Sequence, residues 1–177
     1  MFGLLKKKNP YEQDAFDVYE RIMAHIREPA LYTRFNVPDT FDGRYELLLV
    51  HAFMVIEVLR EKDEQGAVQF NQALFDRIFI QMKITLREIG VGDVGIPKHM
   101  QKMMKAFNGR MYSYAEALDT DLLGPVLLRN LYGTVDAPQE KDPEAFAGYV
   151  KANVEALRGQ DFTAIIDNET LFELKSE

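Results

Sequence analysis

The stretch LREIGVGDVGIPKHMQKMM, Leu86 to Met104, decides the fold. It contains Gly90-Val91-Gly92-Asp93-Val94-Gly95, a literal G-x-G-x-x-G. That pattern cradles a dinucleotide pyrophosphate when a strand precedes it and a helix comes after. Here the preceding residues are helical. Phe70, Leu74, Ile78, Met82, Leu86 and Ile89 form one stripe at a 3.6-residue period, flanked by Phe75 and Phe79. The run is too long and too periodic for a strand. The third glycine should pack from within the next helix, yet Gly95 still precedes Ile96-Pro97. Glu116 falls near the spacing of a ribose-binding acid, but nothing there ends a second strand. The glycines therefore read as a helix stop and a turn. Gly90 or Gly92 takes positive φ, Asp93 bonds turn amides, and Pro97 opens the next helix at its first position.

Working outward, the rest of the chain is also helical. Asn9-Pro10 starts a first helix that buries Tyr11, Ala15, Val18, Ile22 and Ile26 and closes at Pro29. Residues 30–43 read as a loop, with Asp42 or Thr40 capping the next helix. From Arg44 to Arg60 the pattern is apolar on nearly every side, which marks a buried central helix. Its apolar run is about a dozen residues, broken by His51 and Glu57, where a membrane span needs about 20. Glu61 to Gly66 breaks the pattern before the second long helix. Beyond Pro97, Asp119-Thr120-Asp121 caps a helix carrying Leu123, Val126, Leu127, Asn130 and Leu131, with Gly133 after it. Thr134 to Lys141 is a loop. Asp142-Pro143-Glu144 starts a helix that Gly159 stops, and a short helix covers Phe162 to Ile166. The expected architecture is all-α: one domain over residues 1–177, a bundle of about seven helices. Its ends, 1–9 and 168–177, are expected to be flexible, with Leu171, Phe172 and Leu174 able to dock on the surface.

Composition narrows function by exclusion. The chain has 177 residues, enough for one core. It has no cysteine, which removes disulfides, thiol catalysis and thiolate metal sites. Its net charge of −7 argues against bulk nucleic-acid binding and against DNA as a partner. Phe2, Leu4 and Leu5 precede Lys6, Lys7 and Lys8, the wrong order for a secretory signal, and read as a frayed terminus. The expected location is the bacterial cytoplasm. His25, His51 and His99 are far apart and carry no H-E-x-x-H or Glu-x-x-His spacing. His51 reads as a hydrogen-bonded core or boundary histidine. No nucleophile motif occurs. The expectation is a non-catalytic binding protein with no metal and no cofactor.

The helix after Pro97 carries the binding chemistry. Lys98, Lys102 and Lys105 share one face, while Met100, Met103, Met104, Phe107 and Met111 share the opposite one. No acidic residue occurs between Asp93 and Glu116, and His99 and Arg110 add to the positive block. The Met/Phe face is expected to be core. The basic face of an otherwise acidic protein suits an anionic lipid, an RNA or an acidic partner. Asp93, Lys98, His99, Lys102, Met103, Lys105 and Arg110 are the candidate partner-binding residues.

Two stretches, VPDTFDGRYELLLVH (Val37 to His51) and LREIGVGDVGIPKHMQKM (Leu86 to Met103), resemble the ubiquinol–cytochrome c chaperone family of mitochondria and alphaproteobacteria. The likeness runs from about Pro29 to about Tyr132. The family's pattern falls on Pro38, Asp39, Asp42, Gly43, Arg44, Gly90, Gly92, Asp93, Pro97 and Lys98. Gly95 is not one of its positions, and His99 stands where a more basic residue is usual. The resemblance implies an assembly factor for the cytochrome bc complex that binds newly made cytochrome b. It further implies contact with the ribosome near the tunnel exit, a small accessory protein, and peripheral attachment to the inner membrane. A helical membrane- or RNA-binding adaptor without client specificity is the alternative.

Overall fold

The computed structural model describes residues 8–62, 64–134 and 142–174. The expectations for Phe2 to Lys7, for residues 135–141 of the long loop and for residues 175–177 lie outside them. The described residues form eight α-helices and one 3-10 turn. They are α1 (Glu12–His25), α2 (Pro29–Thr33), α3 (Phe41–Lys62), α4 (Ala67–Glu88), α5 (Ile96–Ala117), α6 (Leu123–Asn130), α7 (Pro143–Arg158) and α8 (Phe162–Asp167), with the turn at Tyr132–Thr134.

The uniformly apolar sequence of α3 makes it the axis of the bundle. Every residue from Tyr45 to Val55 is buried. A helix hydrophobic all round must be covered on every side, and α1, α4, α5 and α7 cover it. α4 pairs with α1 on one side and α5 on the other. The α4–α5 hairpin is closed by the rings of Phe75 and Phe79 against Phe107, at 5.1 and 5.7 Å.

Side-chain caps set the starts of α7 and α8, whereas α1 and α6 begin after Tyr11 and Leu122 without one, so the caps expected from Asn9 and from Asp119-Thr120-Asp121 do not form. Asp142 accepts from the Ala145 amide at 2.9 Å and Asp161 from the Ala164 amide at 2.7 Å. Asn9 accepts from the Tyr11 amide at 3.0 Å, just ahead of α1. Gly66, with φ +99°, faces the Tyr11 ring so closely that a Cβ would strike the phenol.

One segment differs from expectation. Residues 30–43 are not all loop, because Pro29 occupies the first turn of α2 and buries Leu31. A proline that ends one helix also fits the first turn of the next, since that turn's amides are free anyway. This adds the eighth helix.

Residues 168–174 are not free either. Leu171 and Phe172 are buried in the core. Among the described residues, no helix is long and apolar enough to cross a membrane.

Candidate functional site: a cleft between α3 and α5

The first family-like stretch builds the start of α3. Thr40 Oγ1 accepts from the Gly43 amide at 3.0 Å and so caps the helix, the role left open between Thr40 and Asp42. The Pro38 carbonyl accepts from the Thr40 amide at 2.9 Å and lies against Gly43, where a Cβ would collide with it. Asp39 pairs with Arg44 at 2.6 Å, and the Arg44 guanidinium lies over the Tyr32 ring at 5.9 Å. Asp42 stays exposed in the first turn, where a carboxylate favours the helix dipole. Pro38, Asp39, Gly43 and Arg44 thus serve the local turn, and leave Phe41 41% exposed at its edge.

The second stretch ends α4 in a Schellman motif. The Val91 amide donates to the Leu86 carbonyl at 2.9 Å and the Gly90 amide to Arg87 at 3.0 Å. Gly90 takes the left-handed φ of +91°; Gly92 does not. Gly95 is the N-cap of α5 and Pro97 sits in its first turn; the Gly95 and Ile96 amides both donate to the Gly92 carbonyl, at 2.8 and 3.3 Å. Asp93 does not bond the turn amides. Its carboxylate accepts from Arg87 Nε at 3.1 Å instead, because the guanidinium reaches it across the turn. Glu116 accepts from the Tyr112 hydroxyl on its own helix at 2.7 Å.

The two stretches meet. A cleft of about 250 Å³ lies between them, lined by Phe41, Asp42, Tyr45 and Glu46 from α3, Leu86 from α4, and His99, Lys102, Met103, Ala106 and Arg110 from α5, with Thr134 at the rim. Tyr45 ties its walls together by donating to the Met103 carbonyl at 2.9 Å. Within it, Arg110 Nε and Nη2 donate to the two Glu46 oxygens at 2.9 and 2.8 Å, a forked pair. Glu46 is 5% exposed. Burial outweighs the arginine and holds its carboxyl above the usual carboxylate range, while the Glu46 bond raises Arg110 further. Burial also pushes the Tyr45 phenol upward, so it stays a donor.

The sequence-derived binding residues divide here. Lys98, His99, Lys102 and Lys105 are exposed and lie together on one surface. Among the described residues none of the three lysines forms an ion pair. Arg110 and Met103 do not belong with them. The guanidinium of Arg110 is spent on Glu46, and Met103 is 8% exposed, packed into the core. Phe107 is buried as expected of the Met/Phe face, Met100 and Met111 are half-buried, and Met104 is 40% exposed. Phe41, Tyr45 and Glu46 were missed by sequence reasoning. A glutamate inside an otherwise apolar helix was the available signal for Glu46.

A second polar cluster lies inside the bundle. His51 is fully buried, and its Nδ1 lies 2.7 Å from the Leu47 carbonyl. That contact requires Nδ1–H, so the uncharged ring accepts at Nε2, from the Tyr149 hydroxyl at 2.7 Å. The same hydroxyl oxygen then accepts from His25 Nε2 at 2.8 Å. The proton order is thereby fixed across α1, α7 and α3. Burial lowers both histidines, His51 to about 3. This is a satisfied core histidine, as expected, but its partners come from helices far away in sequence. Among the described residues no cluster of His, Asp or Glu could hold a metal ion.

The fold and the site define an all-α bundle whose open cleft is bordered by an unpaired cationic helix face. The profile of the family described as ubiquinol-cytochrome C chaperone matches residues 33–172. The chain belongs to that family, and so to the chaperones of cytochrome bc complex assembly. The crystal structure of the Cbp3 homolog from Brucella abortus is similar to it over 92% of this chain and 90% of that one, with a TM-score of 0.77 and 30% identity. No curated protein matches the chain.

Proposed function

We propose that this chaperone binds newly made cytochrome b at the α3–α5 cleft before the subunit enters the bc complex. The observation that carries the reading is the meeting of the two family-like stretches in one cleft, beside cations that the fold leaves unused. Exposed Phe41, on the cleft wall with Met103, supplies apolar contact suited to a client that has not yet reached its final packing. Lys98, His99, Lys102 and Lys105 supply attraction to an anionic neighbour. That neighbour is the inner-membrane surface or the ribosome near the tunnel exit, so the protein works in the cytoplasm, peripheral on the membrane. A small accessory protein would share the same task.

The test is genetic and biochemical together. Native protein isolated from its bacterium should bring down cytochrome b that is not yet assembled. Deletion of the gene should lower the assembled bc complex. Normal bc levels in the deletion strain would end the reading. An adaptor without a client would instead lose all vesicle or ribosome binding on charge reversal at Lys98, Lys102 and Lys105, and bring down no cytochrome b at any stage.

A further inference from the structure

Residues 168–174 are held as proteins hold a foreign peptide. The segment is non-helical after α8. Asn153 on α7, 4% exposed, bonds both backbone groups of Glu173: its Oδ1 accepts from the amide at 2.8 Å and its Nδ2 donates to the carbonyl at 3.2 Å. Arg21 on α1 donates to the carbonyls of Ile166 and Asn168. Leu171 and Phe172 are 6% and 3% exposed, and the Phe172 ring lies 5.3 Å from the His25 ring and edge-on to His51 at 4.9 Å. Glu169, Thr170 and Glu173 are exposed, Leu174 is half-buried against the core, and the Asn168 side-chain amide donates to Gln160 at 3.3 Å. Recognition therefore reads backbone amides and two adjacent bulky apolar side chains, and nothing charged. An amide side chain that pairs with both backbone groups of one residue accepts almost any sequence there, as strand addition does.

We propose that these residues are a strap occupying a peptide groove between α1, α3 and α7, and that an extended client segment with two adjacent bulky apolar side chains takes the strap's place. Unassembled membrane proteins expose such segments. The inference rests on the chaperone reading and assigns it a second contact, separate from the α3–α5 cleft. The strap would keep the groove closed when no client is present, and lower the apparent affinity of any competitor by the fraction of time it is seated.

The test uses the full chain with Leu171→Ser and Phe172→Ser together, which loosens the strap. A fluorescein-labelled peptide NETLFEL, the sequence of residues 168–174, should bind this variant at least about tenfold more tightly than the wild type. Adding Asn153→Ala should remove the gain. Equal affinity for variant and wild type, or no binding to either, overturns the proposal. Hydrogen exchange on the wild type decides the matter if the variant does not fold. Amides of residues 171–174 should exchange through an opening that leaves α3 protected. Exchange of both in a single global event overturns it. Loss of cytochrome b capture on reversing Lys98, Lys102 and Lys105, with no peptide binding, would refute the strap and leave the cleft reading intact.

Discussion

Two sets of polar side chains lie within a few turns of each other and are used in opposite ways. Inside the bundle, buried Glu46 is paired with half-buried Arg110, and buried His51 and Tyr149 with half-buried His25. On the outer face of α5, Lys98, His99, Lys102 and Lys105 are exposed, and among the described residues the lysines pair with nothing. The first set fixes how α1, α3, α5 and α7 meet. The second contributes nothing visible to the fold, and under the proposed function it serves a partner. Positive charge along one helix thus divides by burial, which no count of lysines and arginines would reveal.

The comparison can be broken most severely at Arg110. Arg110→Ala strands a buried carboxylate, and should lower unfolding free energy by about 3–5 kcal/mol in urea titration. The double change Glu46→Leu with Arg110→Met should restore most of that loss, since two apolar side chains need no partner. A single variant as stable as wild type would mean the pair is not a structural element.

A smaller effect comes from pH. His51 has its pKa lowered to about 3 in the fold, against about 6.5 in the unfolded chain. The unfolded state therefore binds the proton first, and stability is full above pH 6.5 and falls as pH drops from there toward 3. His51 alone should remove about 2 kcal/mol between pH 7 and pH 5. Urea midpoints at the two pH values check this, and His51→Gln should flatten the slope. His25, lowered by burial as well, adds in the same direction.

The smallest stability change belongs to the outer face. Reversing Lys98, Lys102 and Lys105 to glutamate should move the urea midpoint by no more than about 0.5 kcal/mol equivalent, while cytochrome b capture falls. A large loss of stability would erase the distinction between the two sets.

The sequence carried the local features well. Helices α4, α5 and α7 arise from a 3.6-residue apolar period and α3 from a run apolar on nearly every side, and Thr40, Gly90 and Asp142 act as caps through bonds within a few residues of themselves. α2 was hidden because Pro29 signals a stop and a start with the same ring. The pairing partners were not legible. Glu46 finds Arg110 across 64 positions, and Tyr149 finds His51 across 98, distances at which spacing holds no information. For the same reason Arg110 read as one more surface cation. The strap was seen only as three apolar residues near an end, since Asn153 has no sequence feature that marks it as a clamp.

The most direct measurement is site-specific crosslinking. A photoreactive side chain at Lys102, on the wall of the α3–α5 cleft, is activated in living cells while the bc complex is being made. It should yield an adduct with cytochrome b that disappears once the complex is assembled. Crosslinks at position 102 that never include cytochrome b, in cells where the protein still supports bc assembly, would contradict the cleft as its client site.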